Sequence, residues 1–94
     1  MSDPREIMET GLGSIGKVKI IRALAEEGKL ATIYVLHKRT GLKREDIKGN
    51  LDDLVRIGWV RQARYANVVY GINPENEYVA RLVQLFRETG YVQP

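Results

Sequence analysis

The sequence predicts a small, mainly α-helical domain carrying one β-hairpin, an α+β chain of three core helices, a two-stranded hairpin and a C-terminal helix. Three observations predict it. Apolar residues recur at helical spacing through residues 15–57, in runs broken by Gly28 and Gly41. From Trp59 to Ile72 the pattern changes to aromatic and β-branched residues, the composition of strands. Helical spacing then returns and holds until Gly90. At 94 residues the chain has room for one hydrophobic core. Three segments follow: a loose arm over 1–13 with a short helical turn at Arg5–Glu9, the main domain over 14–72, and a C-terminal segment over 73–94.

Ser14 is placed to cap a helix running to about Glu27, with Ile15, Val18, Ile21, Leu24 and Ala25 as its stripe, Ile20 beside them, and Gly28 as its stop. Lys29–Ala31 is a short extended link. Thr32 caps a second helix, from Ile33 to about Arg39, that turns inward Ile33 and Leu36. Thr40-Gly41-Leu42 is a turn. The third helix spans about Arg44 to Ile57, with Ile47, Leu51, Leu54 and Ile57 inward, and Gly58 ends it. Residues 59–64 and 68–72 form the hairpin around Tyr65-Ala66-Asn67. Asn73 as cap and Pro74 as first helical residue start the last helix, which runs to about Thr89.

Composition excludes several classes. The absence of cysteine rules out disulfide scaffolds, thiol catalysis and cysteine metal sites, and His37 is the sole histidine. No apolar run reaches the roughly 18 residues of a membrane span. Residues 1–6 have no signal-peptide layout, so a cytoplasmic protein without membrane contact is expected. The net charge is +3, but its distribution is uneven: residues 31–72 carry eight basic and four acidic side chains, a surplus of +4, and the remainder is −1. The middle of the chain is the part suited to an anionic partner.

The run Thr40-Gly41-Leu42-Lys43-Arg44-Glu45-Asp46-Ile47-Lys48-Gly49-Asn50-Leu51, with Leu54 and the exit Ile57-Gly58-Trp59-Val60, resembles a winged helix-turn-helix. It is most similar to the small archaeal and bacterial transcription regulators of the arsenic-repressor and multiple-antibiotic-resistance type. The resemblance covers about residues 14–72. It implies a homodimeric regulator of transcription that binds double-stranded DNA, with helix 44–57 in the major groove and hairpin 59–72 as the wing. Matched to the family pattern, Arg44, Lys48, Gly49 and Asn50 face the groove, beside Lys43. Arg61, Arg64 and Tyr65 belong to the wing, and Lys38 and Arg39 approach the backbone. Gly49 costs about 1 kcal/mol relative to alanine inside a helix. Close approach to DNA and close packing against the second helix are both adequate reasons for it. Helix 44–57 carries three basic and four acidic residues, a departure that favours an alternative: a winged-helix protein-interaction module of a transcription complex.

Other motifs suggest chemistry that their context does not support. Gly11-Leu12-Gly13-Ser14-Ile15-Gly16-Lys17 fits G-x-G-x-x-G and most of the phosphate-binding G-x-x-x-x-G-K loop. Val18 stands where that loop needs serine or threonine, and no buried strand precedes it. A nucleotide switch is therefore the least supported reading. His37 reads as a half-buried helix residue. Glu26-Glu27 and Asp52-Asp53 are consecutive, diverge around their helices and read as solvated faces rather than acid–base pairs. No enzyme, cofactor or metal is expected.

The last helix is richer in apolar residues than one small core requires: Tyr78, Val79, Leu82, Val83, Leu85 and Phe86 exceed a stripe of about 100°. A twofold homodimer through this face, joined by Tyr91 and Val92, is the expectation.

Overall fold

The computed structural model describes Glu9, Thr10 and residues 12–93. Most of the turn expected at Arg5–Glu9, and Gly11, lie outside these. Its elements are α1 (Ile15–Glu27), α2 (Ile33–Thr40), α3 (Arg44–Arg56), β1 (Val60–Arg64), β2 (Val68–Ile72) and α4 (Glu77–Glu88). The radius of gyration, 12.3 Å, is that of one packed domain of this length, for which about 12 Å is expected. No described helix is long and apolar enough to cross a membrane.

The first two helices start and stop where local chemistry dictates. Ser14 Oγ accepts from the Lys17 N–H at 3.2 Å, and Gly28 ends α1 at φ 67°. Thr32 Oγ1 accepts from the Val35 N–H, and Gly41 ends α2 at φ 75°. A side chain at either glycine would be strained in that left-handed conformation. No side chain caps α3, but Glu45 and Asp46 occupy its first turn, where carboxylates complement the exposed N–H groups.

The start of α4 differs from the expectation of an Asn73 cap. Asn73 accepts from the Glu75 N–H and donates its side-chain amide to the Gly58 carbonyl at 2.9 Å. That fixes a turn, and the helix begins three residues later, where Asn76 Oδ1 accepts from the Tyr78 and Val79 N–H groups.

The hairpin is antiparallel, with Val60 opposite Ile72 and Arg64 opposite Val68. Ala31 adds a single bridge on the outer side of β2, exchanging two backbone hydrogen bonds of 2.8 Å with Tyr70. This brings Leu30 over Gly71, where a Cβ would lie 2.7 Å from Leu30 Cδ2.

Helix α1 is the hub, in contact with α2, α3, β2 and α4. Ile20, Ile21, Leu36, Ile47, Leu51, Leu54 and Trp59 are wholly buried around it. Ile15, expected in its stripe, is 67% exposed, and Lys17 is buried instead.

The C-terminal segment closes the core. Val79 and Val83 of α4 are buried in the chain's own interior, and so is Val92. After Gly90 the chain folds back, and the Val92 N–H donates to the Phe86 carbonyl at 3.0 Å. Tyr91 packs edge-on against Phe86 at 4.9 Å, with the Arg22 guanidinium 4.8 Å above its ring. Val79, Val83 and Val92 are thus packed inside the chain, and Tyr91 is half-buried. Leu82 and Phe86 are partly buried, while Tyr78 and Leu85 remain over half exposed.

Candidate nucleic-acid interface

Burial of Ile47, Leu51 and Leu54 fixes how α3 is turned. At about 100° per residue, Arg44 and Lys48 then fall on one flank and Asp46, Asn50 and Asp53 on the other. Glu45, Gly49, Asp52 and Arg56 form the outermost ridge, and all four are exposed. The side-chain partners agree. Arg44 reaches across to α2, its guanidinium carbon 5.6 Å from the Tyr34 ring centroid. Asp53 reaches the other way to α1, its carboxylate 3.0 Å from Lys17 Nζ. Charges that sum to a negative value along α3 are sorted across it.

Tyr34, 54% exposed on α2, organises the basic flank. Lys38 Nζ lies 5.6 Å from the same ring. Both cations are within the roughly 6 Å at which a ring face attracts positive charge. One aromatic side chain therefore holds cations of α2 and α3 together. Lys43, beside Arg44, and Lys48, one turn further along, are exposed.

The hairpin end carries a further exposed cation. Side chains alternate along a strand, so Arg64 shares the face of β1 that carries Gln62 and Val60. Opposite them, Tyr70 is buried. Burial pushes the Tyr70 hydroxyl pKa up, the Asp52 charge adds to the rise, and Arg64 partly offsets it. Arg64 and Tyr65 are exposed at the hairpin end.

Four of the described basic side chains are paired with carboxylates. Arg39 donates to Glu26 at 3.0 Å and to Glu27 at 3.3 Å. Arg22 meets Glu26, and Lys17 and Arg56 both meet Asp53. The Lys17 hydrogen bond is the main reason the Asp53 carboxyl is held below its usual range. Burial pushes the Glu26 carboxyl up, but bonds from the Gln93 N–H, Arg39 and Arg22 outweigh it and the net shift is down. By contrast Lys38, Lys43, Arg44, Lys48 and Arg64 have no carboxylate within 4.0 Å among the described residues, and neither do Lys19, Lys29, Arg61, Arg81 and Arg87, which lie elsewhere on the chain.

Three residues expected at the anion-facing surface are placed elsewhere. Arg39 is turned back onto α1 by its two carboxylates. Asn50 faces Gly16, where a Cβ would sit 2.7 Å from its amide nitrogen. Arg61 lies on the opposite face of β1 from Arg64, across from Gly71. Gly49 stays on the outer ridge, and a Cβ there would meet nothing within 4 Å. Packing against α2 is therefore not why it is glycine.

The glycine-lysine motif has a packing role: Gly16 admits Asn50, and Lys17 pairs with Asp53. His37 Nδ1–H donates to the Leu42 carbonyl at 2.7 Å and braces the α2–α3 turn. Glu26 and Glu27 are not a solvated face but are taken up by Arg39. Among the described residues no three histidine or carboxylate side chains converge as a metal site would require.

Sequence reading did not find that Tyr34 holds the basic flank together. The Tyr34–Lys38 spacing of four residues signals half of it, and the Arg44 half needs the fold. Compared with family models, curated proteins and solved structures, the chain matches none.

Proposed function

We propose that this chain is a winged helix-turn-helix that binds duplex DNA, with α2 and α3 as the helix pair and the β1–β2 hairpin as the wing. The observation that carries the reading is that the exposed cations of α2, α3, the turn between them and the hairpin end that lack a carboxylate partner, Lys38, Lys43, Arg44, Lys48 and Arg64, include both basic residues expected to face the groove. An α-helix fits the major groove, where an arginine or lysine reads the guanine edge. Arg44 and Lys48 have that role here. Lys38 and Lys43 bind phosphate, which positions the helix. Arg64 and Tyr65 follow the backbone into the adjacent minor groove. Gly49 lets the helix ridge come close to the duplex.

The chain acts as a cytoplasmic regulator of transcription and works as a homodimer through the exposed part of α4, where Tyr78, Leu82 and Leu85 form one line. Two copies of α3 one DNA turn apart would read a palindromic site. Fluorescence anisotropy of a labelled random-sequence duplex tests the DNA reading at low and moderate salt. Binding falls with salt and weakens in Lys48→Ala/Arg64→Ala. Absence of binding at low salt refutes it.

A second reading has its own support. Glu45 and Asp52 on the exposed ridge of α3 repel phosphate and suit a basic protein surface. In that case α3 is the contact helix of a protein-interaction module, and pull-down with Glu45→Lys/Asp52→Lys as control separates the two.

A further inference from the structure

A groove of about 400 Å³ lies on the side of the hairpin that carries Arg61, between the end of α1, the 28–30 link, β2 and α4. Its volume is at the lower end of the roughly 300–1,000 Å³ of small-molecule sites. Leu30 and Ile72 offer aliphatic surface to it, the core residues Leu24 and Val83 form its floor, and Ala80 sits on the α4 side. Lys29, Arg61 and Arg87 bring three cations to it from three different elements, and no carboxylate lines it. None of the three has an ion-pair partner among the described residues.

Two other surface depressions lack this combination. One is lined by Arg22, Glu26 and Arg39, whose charges are already paired, with Lys19 as its one free cation among the described residues. The other is lined by Glu45, Asp46 and Asp53 and is acidic. Gly71 helps make the groove. With no side chain opposite Arg61, it lets Leu30 lie against the strand.

We propose that this groove binds a small amphipathic carboxylate, an aliphatic body carrying one anionic head. The walls supply apolar contact without an aromatic surface, which suits an alkyl chain better than a flat ring. The two guanidinium groups supply planar, paired N–H donors that match a carboxylate's geometry. Lys29 adds a third positive charge. The inference is independent of DNA binding, because it uses none of the five cations assigned to the duplex.

Octanoate titrated into the ¹⁵N-labelled full chain tests it by amide shifts, with octanamide as the neutral probe of the same shape. Saturable shifts concentrated at Gly28, Leu30, Gly71 and Ala80 are expected. Octanamide should bind about tenfold more weakly, since it lacks the charge that strengthens the guanidinium bonds. Arg61→Gln/Arg87→Gln should bring octanoate down to the level of octanamide and leave octanamide unchanged. Ala80→Phe fills the groove from an exposed helix position and should abolish binding of both while the remaining spectrum keeps its dispersion. Non-saturating shifts, shifts scattered away from the groove, equal affinity for both probes, or octanoate binding unaffected by Arg61→Gln/Arg87→Gln would each overturn the proposal.

Discussion

Arg39 and Arg44 stand five residues apart on either side of one turn, and they have opposite surroundings. Arg39 lies between two carboxylates of α1, while Arg44 lies over the Tyr34 ring with Lys38 on the same ring. The contrast extends to whole surfaces. Around α1, Lys17, Arg22 and Arg39 meet acids and Lys19 alone does not; on α2, α3 and the hairpin end, Lys38, Lys43, Arg44, Lys48 and Arg64 meet none. Charge available to a partner is the charge the fold leaves unpaired. A count along the chain treats both arginines alike, and the three-dimensional arrangement does not.

The largest effect should come from stripping the unpaired side. Arg44→Ala/Lys48→Ala/Arg64→Ala is expected to weaken duplex binding at low salt by about a hundredfold or more. The salt dependence should flatten by roughly 0.9 for each phosphate that is no longer neutralised. The melting temperature should stay close to that of the parent, since exposed substitutions usually change stability by about 0.5 kcal/mol or less. Anisotropy and thermal unfolding on the same samples check both halves.

The paired side should respond in reverse. Lys17→Ala removes a buried stem and leaves Asp53 with Arg56 alone, so a loss of about 1–3 kcal/mol is expected in urea unfolding. Duplex affinity under native conditions should not change. A binding loss as large as that of Lys48→Ala would erase the distinction between the two sides.

Gly49 sharpens the comparison, because stability and binding should move in opposite directions. Gly49→Ala adds a methyl group that meets nothing in the domain, so the helix should gain up to about 1 kcal/mol. If the ridge lies against DNA, affinity should fall. A stabilised variant with unchanged affinity would place Gly49 outside the interface.

The smallest effect is acid sensitivity on the paired side. Asp53 and Glu26 are both lowered in the folded protein. Their stabilisation is therefore full above their unfolded pKa values, about 4, and is lost as pH falls through the lower folded values. Asp53→Asn should flatten the fall in melting temperature between about pH 5 and pH 2. Lys48→Ala should leave it unchanged.

The sequence shows what is decided within a few residues. Ser14, Gly28, Thr32 and Gly41 mark helix ends because their bonds or backbone angles are local. The inward line Ile47, Leu51, Leu54 is legible because it has helical spacing. Long-range partners decide the rest. Asn73 and Asn76 are both competent caps, and only the bond from Asn73 to Gly58, fifteen residues back, leaves the helix start to Asn76. Gly16-Lys17 looks like a phosphate loop until Asn50 and Asp53 are seen beside it. Arg61 and Arg64 are equivalent as hairpin arginines, and strand alternation sends one to the groove and the other to the opposite face. The apolar excess of α4 is real in the sequence, but Val79 and Val83 are used by the chain itself, so the surface left for a second copy is narrower than the spacing suggests.

The most direct measurement is the salt dependence of duplex binding for Arg39→Ala and Arg44→Ala side by side, at a temperature where both are folded. Arg44→Ala should weaken binding and reduce the slope of log affinity against log salt by about 1, while Arg39→Ala should match the parent in both. Equal losses from the two substitutions, or no loss from Arg44→Ala, would contradict the claim that the unpaired cations of α2, α3 and the hairpin end form the binding face.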